Sequence, residues 1–288
     1  MSNRIPVRPA VIILCLLLGA CSPLAAVNLL VPEDGYTLSS GLAYGPAERQ
    51  TLDVYVPRDP VASKTVVVFF YGGAWRDGAR GNYTFAGQAF AARGYVTVVP
   101  DYRLYPEVRF PAFVEDAAAA VAWVRREIAA YGGDPERIVL AGHSAGAHSA
   151  ALLGLDRRYL ARQGVPMTAI RGVIGLAGPY VFDPTEYPST KEIFKGVGPA
   201  DDTRPVTFAR GDAPAMLLLH GLDDTTVQPE NSAELSIALR AEGAKARYVS
   251  LPDVGHAGVL LAVSSPFEGL APIMPEIQAF IEGLPAAD

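Results

Sequence analysis

The sequence predicts an α/β fold, with a mostly parallel central sheet and helices on both faces, and three observations carry that expectation. Short apolar runs of the kind that form buried parallel strands recur from about residue 65 onward. Helical stretches closed by glycine alternate with them. The segment Arg137 to Leu153, RIVLAGHSAGAHSAALL, puts a strand, a tight glycine turn and a helix in immediate succession.

Composition narrows the class. The 288 residues are 50% hydrophobic and 19% charged, enough for one large soluble core. A net charge of −6 without Lys/Arg runs argues against nucleic acid, whose phosphates need a basic stripe.

The chain opens on a secretory signal. Arg4 and Arg8 give a positive start, and Ala10 to Leu18 is an apolar run too short to span a bilayer, so residues 1–20 are read as removed. Residues 21–41 read as a tether and 42–288 as the folded domain. The two cysteines, Cys15 and Cys21, lie in the signal and at its edge, so thiol catalysis and cysteine metal sites are excluded for the mature chain. Leu18-Gly19-Ala20-Cys21 resembles a bacterial lipoprotein lipobox. That resemblance implies lipidation at Cys21, a membrane anchor in the cell envelope and, with Ser22 following, the outer membrane facing the periplasm. A plain signal peptide cleaved elsewhere is the alternative.

Thr51 to Val56 alternates as a half-exposed strand of an antiparallel edge pair, and Thr65 to Tyr71 is apolar on both faces, as a central strand is. In Tyr71-Gly72-Gly73-Ala74-Trp75 the glycines allow main-chain N–H groups to turn inward. Asn82 to Arg93 reads as a helix ended by Gly94, and Tyr95 to Pro100 as a strand. Pro111 to Tyr131 reads as a long helix with Phe113, Val114, Ala117, Val121 and Val124 on one face. Ile138 to Ala141 is the organising strand. Arg171 to Ala177 follows as another. Residues 179–212 lose all period and carry Tyr180, Phe182, Tyr187 and Phe194; they are expected to be a short cap insertion that walls a pocket, the alternative being a surface excursion. Ala215 to His220 is a strand, Gln228 to Glu242 a helix, Ala246 to Leu251 the last strand and Glu268 to Gly283 the closing helix.

Gly142-His143-Ser144-Ala145-Gly146 fits the G-x-S-x-G nucleophile elbow, which pushes a serine out at the carboxyl end of the sheet. A carboxylate just past a later strand could orient a base, and both Asp223 and Asp224 qualify. Among four histidines, His256 alone lies in a loop after the final strand and after the acid; His143 is inside the elbow, His148 on its helix, and His220 ends a strand. No two histidines show H-x-x-x-H or similar ligand spacing with a partner carboxylate. Ser144 attacking a carbonyl, with His256 taking its proton, is acyl-transfer chemistry that needs no cofactor and no metal.

The motifs resemble those of known families. Tyr71-Gly72-Gly73-Ala74-Trp75 resembles the H-G-G-G and H-G-G-x-W loops of hormone-sensitive-lipase-like esterases and arylformamidases of the α/β-hydrolase superfamily, with Tyr71 in place of histidine and Ala74 in place of a third glycine. D-Y-R-L-Y-P-E-V-R-F-P, residues 101–111, and H-G-L-D-D-T-T-V, residues 220–227, are similar to further segments of the same families. The resemblance covers nearly all of the mature chain. It implies an α/β-hydrolase fold, Asp224 as the acid, and the N–H groups of Gly73, Ala74 and Ala145 as an oxyanion hole. Asp101, Arg103 and Glu107 are expected to fix a loop beneath the site, and Trp75 to wall the pocket. The implied partner is a small-molecule carboxylic ester of short acyl chain, of the acetyl or feruloyl type on a carbohydrate. An arylformamidase-type amide hydrolase is the nearest rival, although its loop histidine is missing here. A non-catalytic envelope binding protein with the same fold is the alternative from another class. The sequence carries no expectation of oligomeric state.

Overall fold

The computed structural model describes residues 23–198 and 200–285. The signal segment and Cys21, with the lipidation expected there, lie outside the described residues. Among the described residues eight strands form one sheet in the order β1-β2-β4-β3-β5-β6-β7-β8. They are β1 Tyr36–Ala43, β2 Thr51–Pro57, β3 Val66–Phe70, β4 Val96–Pro100, β5 Ile138–His143, β6 Ile170–Leu176, β7 Ala215–Gly221 and β8 Ala246–Leu251. β2 pairs antiparallel with both β1 and β4, and every other pairing is parallel, so β2 alone runs against the rest.

Helices flank the sheet: α1 Pro23–Asn28, α2 Thr84–Ala91, α3 Ala112–Glu127, α4 Ala145–Leu155, α5 Arg157–Arg162, α6 Glu230–Ala241, α7 His256–Leu261 and α8 Ile273–Glu282. With both faces covered, the central strands must be apolar throughout, and VVVFF in β3 and IVLAGH in β5 are buried at every position. The predicted face of α3 is the buried one: Phe113, Val114, Ala117, Val121 and Val124 all point into the core. This helix ends four residues early, because Ile128–Tyr131 tighten into a 3₁₀ turn that Gly132 stops at φ 81°. The closing helix is likewise shorter than expected; Pro272 separates α8 from a 3₁₀ turn over Ser265–Leu270.

The stretch expected to be a tether is folded over its described part. Val27 and Val31 are buried against the core, and the Asn28 side chain donates to the Gly81 carbonyl at 2.8 Å and accepts from the Phe85 N–H at 3.0 Å. β1 is one of the sheet's two edge strands, with no fully buried position and a register shift between Ser39 and Leu42. An edge strand solvated on both faces shows no hydrophobic alternation, which is why the sequence hid it.

A chain of partly buried polar contacts ties this edge to the centre. Asp53 of β2 accepts from the Ser40 hydroxyl (2.6 Å), the Gly41 N–H (2.9 Å) and Arg80 Nε (2.8 Å). Arg80 also pairs with Asp101, which accepts from the Tyr71 hydroxyl at 2.7 Å. Arg103 forks onto Asp116 of α3 at 2.7 and 2.9 Å. Asp101 and Arg103 therefore hold the corner after β4 as expected. Glu107 does not, because it is exposed, and Asp116 supplies the carboxylate instead. No described helix is long and apolar enough to cross a membrane.

Candidate active site

The site is built on the turn between β5 and α4. Ser144 sits at φ 53°, ψ −122°, a conformation that costs an L-residue about 1–3 kcal/mol and persists only where its surroundings fix it. Its N–H donates to the Leu176 carbonyl at 2.9 Å, and its own carbonyl accepts from the His148 N–H at 3.1 Å. Both elbow glycines are demanded by close approach. A Cβ on Gly142 would overlap the backbone of Gly146, and one on Gly146 would overlap the carbonyls of Phe70 and Tyr71 at the end of β3.

Three side chains meet at this elbow. His256, at the start of α7, places Nε2 3.0 Å from Ser144 Oγ and Nδ1 2.7 Å from Asp224 Oδ2. Facing a carboxylate, Nδ1 carries the proton, which leaves the Nε2 lone pair to accept from the serine hydroxyl. Asp224 is 2% exposed, and its Oδ1 accepts from the N–H groups of Thr226 and Val227, each at 2.9 Å. Burial by itself pushes the Asp224 carboxyl up, but hydrogen bonds from His220, His256 and Val227 outweigh it and hold the group well below the usual carboxylate range. The neighbouring Asp223 is exposed, with its N–H on the Val254 carbonyl at 3.1 Å. Of the two carboxylates, Asp224 is therefore the one in contact with His256.

Two further histidines touch this group, and sequence reasoning missed both. His143 is buried, its Nε2–H donates to the His256 carbonyl at 3.2 Å, and the two ring centroids lie 4.7 Å apart. Burial first, and the nearby His256 second, push His143 down to about 3. His220 places Nε2 3.1 Å from Asp224 Oδ2. The available signals were positional: His143 precedes the nucleophile and His220 opens the segment that ends in the acid. His148 lies apart, with Nε2–H on the Thr203 carbonyl at 2.8 Å, and burial pushes it down to about 4.

The glycine loop lies beside the elbow. Gly73, Ala74 and Trp75 all have positive φ (121°, 50° and 57°). The Gly73 carbonyl accepts from the N–H groups of Arg76 and Asp77, and the Trp75 carbonyl from Tyr105 N–H. Among the described residues no hydrogen bond engages the N–H of Gly73 or Ala74. The N–H of Ala145, first residue of α4, has no intrahelical acceptor. Tyr71 anchors the loop from behind: its ring stacks between Tyr83 and Tyr102, and its carbonyl accepts from the Tyr102 hydroxyl at 2.8 Å.

A cavity of about 420 Å³ opens over Ser144, walled by Ala74, Trp75 and Ala145 and, from the expected cap, by Phe182, Tyr187 and Thr190. None of the described residues lining it is charged. Trp75 is held by stacking on Phe113, and Phe194 of the cap meets its edge with centroids 5.0 Å apart. Asn231 of α6 accepts from the N–H groups of Tyr180 and Val181 at 2.9 and 3.0 Å, clamping the entry to the cap.

The chain is similar to known proteins. The BD-FAE family model matches residues 52–239. The chain is 32% identical over 238 residues to a probable isoprenylcysteine alpha-carbonyl methylesterase of Oryza sativa subsp. japonica, covering 76% of this chain and 58% of that protein. It is 31% identical over 245 residues to esterase LipC of Mycobacterium tuberculosis, covering 76% and 59%. The match thus spans under two thirds of these relatives' own length. Among solved structures, a truncated carbohydrate esterase from gut microbiota superposes with a TM-score of 0.73 at 22% identity, covering 88% of this chain and 98% of that one. Thermogutta terrifontis esterase 2 superposes with a TM-score of 0.69 at 24% identity, covering 88% and 97%. On the extent of the family match and the identity to these relatives, the chain belongs to the BD-FAE family of α/β-hydrolases.

Proposed function

We propose that the protein is a serine esterase acting on neutral carboxylic esters. The observation that carries this reading is the relay Ser144–His256–Asp224, with contacts of 3.0 and 2.7 Å set on a strained elbow. His256 takes the Ser144 proton as Oγ attacks the ester carbonyl, and Asp224 holds the imidazole tautomer and stabilises the imidazolium. The N–H groups of Gly73, Ala74 and Ala145 receive the developing oxyanion, each donor contributing roughly 3 kcal/mol of transition-state stabilisation. Collapse expels the alcohol, protonated by His256, and water then attacks the acyl-enzyme with His256 again as base.

The cavity narrows the substrate. Trp75, Phe182 and Tyr187 offer an apolar, aromatic wall, while Thr225, Thr226 and Gln228 give an uncharged polar rim. An acetyl or feruloyl group esterified to a carbohydrate suits an apolar wall beside an uncharged polar rim, and the relatives named as esterases support ester chemistry. A formally charged acyl group would lose its hydration there without a partner.

The N-terminal pattern supports export and anchoring. Arg4, Arg8, the Ala10–Leu18 run and Leu18-Gly19-Ala20-Cys21 support a lipid on Cys21 and a place on the outer membrane facing the periplasm.

The first experiment is covalent labelling by a fluorophosphonate, native protein against Ser144→Ala. Labelling confined to the native protein is expected; a native protein that stays unlabelled would sink the esterase reading. Ester and formamide panels then rank the substrates.

A further inference from the structure

We propose that His220 is a positioning residue for the catalytic acid, with the Ser232 hydroxyl anchoring its other ring nitrogen; this rests on the serine-esterase reading above. His220 is the penultimate residue of β7, four residues before Asp224, and both side chains are wholly buried. Its Nε2 lies 3.1 Å from Asp224 Oδ2 and 2.9 Å from the Val227 carbonyl. Both partners are acceptors only, so Nε2 carries the proton and shares it between them. Nδ1 lies 2.7 Å from the hydroxyl of Ser232, a residue of α6 that is 0% exposed. With the ring proton on Nε2, Nδ1 accepts and the serine donates.

The consequence falls on the carboxylate. Asp224 receives the N–H groups of Thr226 and Val227 on Oδ1, and the rings of His220 and His256 on Oδ2. Four donors match the roughly four lone-pair directions of a carboxylate, so rotation of the group forfeits bonds in every direction. Among the described residues, His220 is the one side-chain donor besides His256 on Oδ2, and it can hold that oxygen in place while His256 cycles between imidazole and imidazolium. Its second bond, to the Val227 carbonyl, also ties down the loop whose N–H groups hold Oδ1. In the opposite tautomer the Nε2 lone pair would face Oδ2 and the Val227 oxygen, pushing both away. The two acceptors facing Nε2 exclude that tautomer, and the Ser232 hydroxyl, turned to donate, satisfies the Nδ1 lone pair and anchors the ring from its other side.

Substitution can separate a donor role from a space-filling one. A glutamine amide nitrogen reaches the position of Nε2, whereas an asparagine amide reaches only that of Nδ1. The test measures the second-order rate of fluorophosphonate labelling and the low-field proton resonance of His256 Nδ1–H in native protein, His220→Ala, His220→Gln, His220→Asn and Ser232→Ala. His220→Ala is expected to label about 10- to 100-fold more slowly, with the resonance displaced. His220→Gln should recover most of that rate and His220→Asn should not. If His220→Ala fails to fold, Ser232→Ala decides: it keeps the imidazole and should still slow labelling several-fold. Native-like rate and resonance in folded His220→Ala or in Ser232→Ala would overturn the proposal, as would equal rates in the glutamine and asparagine variants. A native protein that does not label would instead remove the esterase reading itself, and this inference with it.

Discussion

The ring of His143 donates through Nε2 to the main-chain oxygen of His256 at 3.2 Å, so the residue before the nucleophile restrains the residue that activates it. Removing that bond frees the first turn of α7, and small displacements of a base are costly in rate. His143→Ala should lower the labelling rate about 10- to 100-fold while the protein stays folded by circular dichroism. An unchanged rate would make the contact incidental.

His143 and His148 also set an acid limit to stability. Both are held neutral by burial, at about 3 and about 4 against an ordinary 6.5. Between those values the unfolded chain binds protons that the folded chain refuses, so their contribution is complete above pH 6.5 and is lost as pH falls toward 3. Each ring contributes a slope of at most about 1.4 kcal/mol per pH unit. Asp224, held below its ordinary 3.8, adds a loss of the same sign only beneath that value. The melting temperature should therefore fall steadily from pH 6.5 to 4, and His148→Gln, which keeps a donor for the Thr203 carbonyl, should flatten the curve. A flat native profile would contradict the burial argument.

Asp224→Asn replaces an acceptor with an amide that can turn its N–H groups toward His256, disfavouring the working tautomer. Turnover of a p-nitrophenyl ester should drop about 10³- to 10⁴-fold. Asp223→Asn, altering an exposed side chain, should change it less than about twofold. The reverse order would move the acid by one residue.

Phe182 and Tyr187 wall the cavity from the cap. Replacing either with alanine should change the ratio of kcat/KM for an aromatic against an acetyl ester by about 10-fold, the scale of a lost apolar contact. A constant ratio would leave the cap without a part in selection.

Cys21→Ala should shift the protein expressed in a Gram-negative host from the membrane fraction to the soluble one. An unaltered distribution would refute anchoring through that cysteine.

The parts most legible in the sequence were those governed by local pattern. Strands β3 to β7 are buried on both faces, so each is a plain apolar run, and the elbow is a five-residue motif whose glycines are fixed by contacts of the backbone with itself. What escaped depends on distance or exposure. His143 meets His256 across 113 positions, which no spacing reveals. Asp223 and Asp224 differ only in which one is buried, and the resemblance, not the pattern, chose between them. β1 hid because an edge strand lacks a buried face, and α7 because six residues, HAGVLL, are too few to show a helical period.

The polar chain from Ser40 and Gly41 through Asp53, Arg80 and Asp101 to Tyr71 ends on the residue that carries the glycine loop. The sheet edge and the loop beside Ser144 thus share one frame, so the edge strand acts as a brace. A shortened chain that began at residue 42 would keep every residue of the relay yet lose two of the three partners of Asp53, Ser40 and Gly41. It would leave Arg80 with a less constrained carboxylate to hold and Tyr71 with a looser seat. For anyone trimming the protein, the sensible first residue lies before Pro23, twenty residues upstream of where hydrophobic pattern alone would cut.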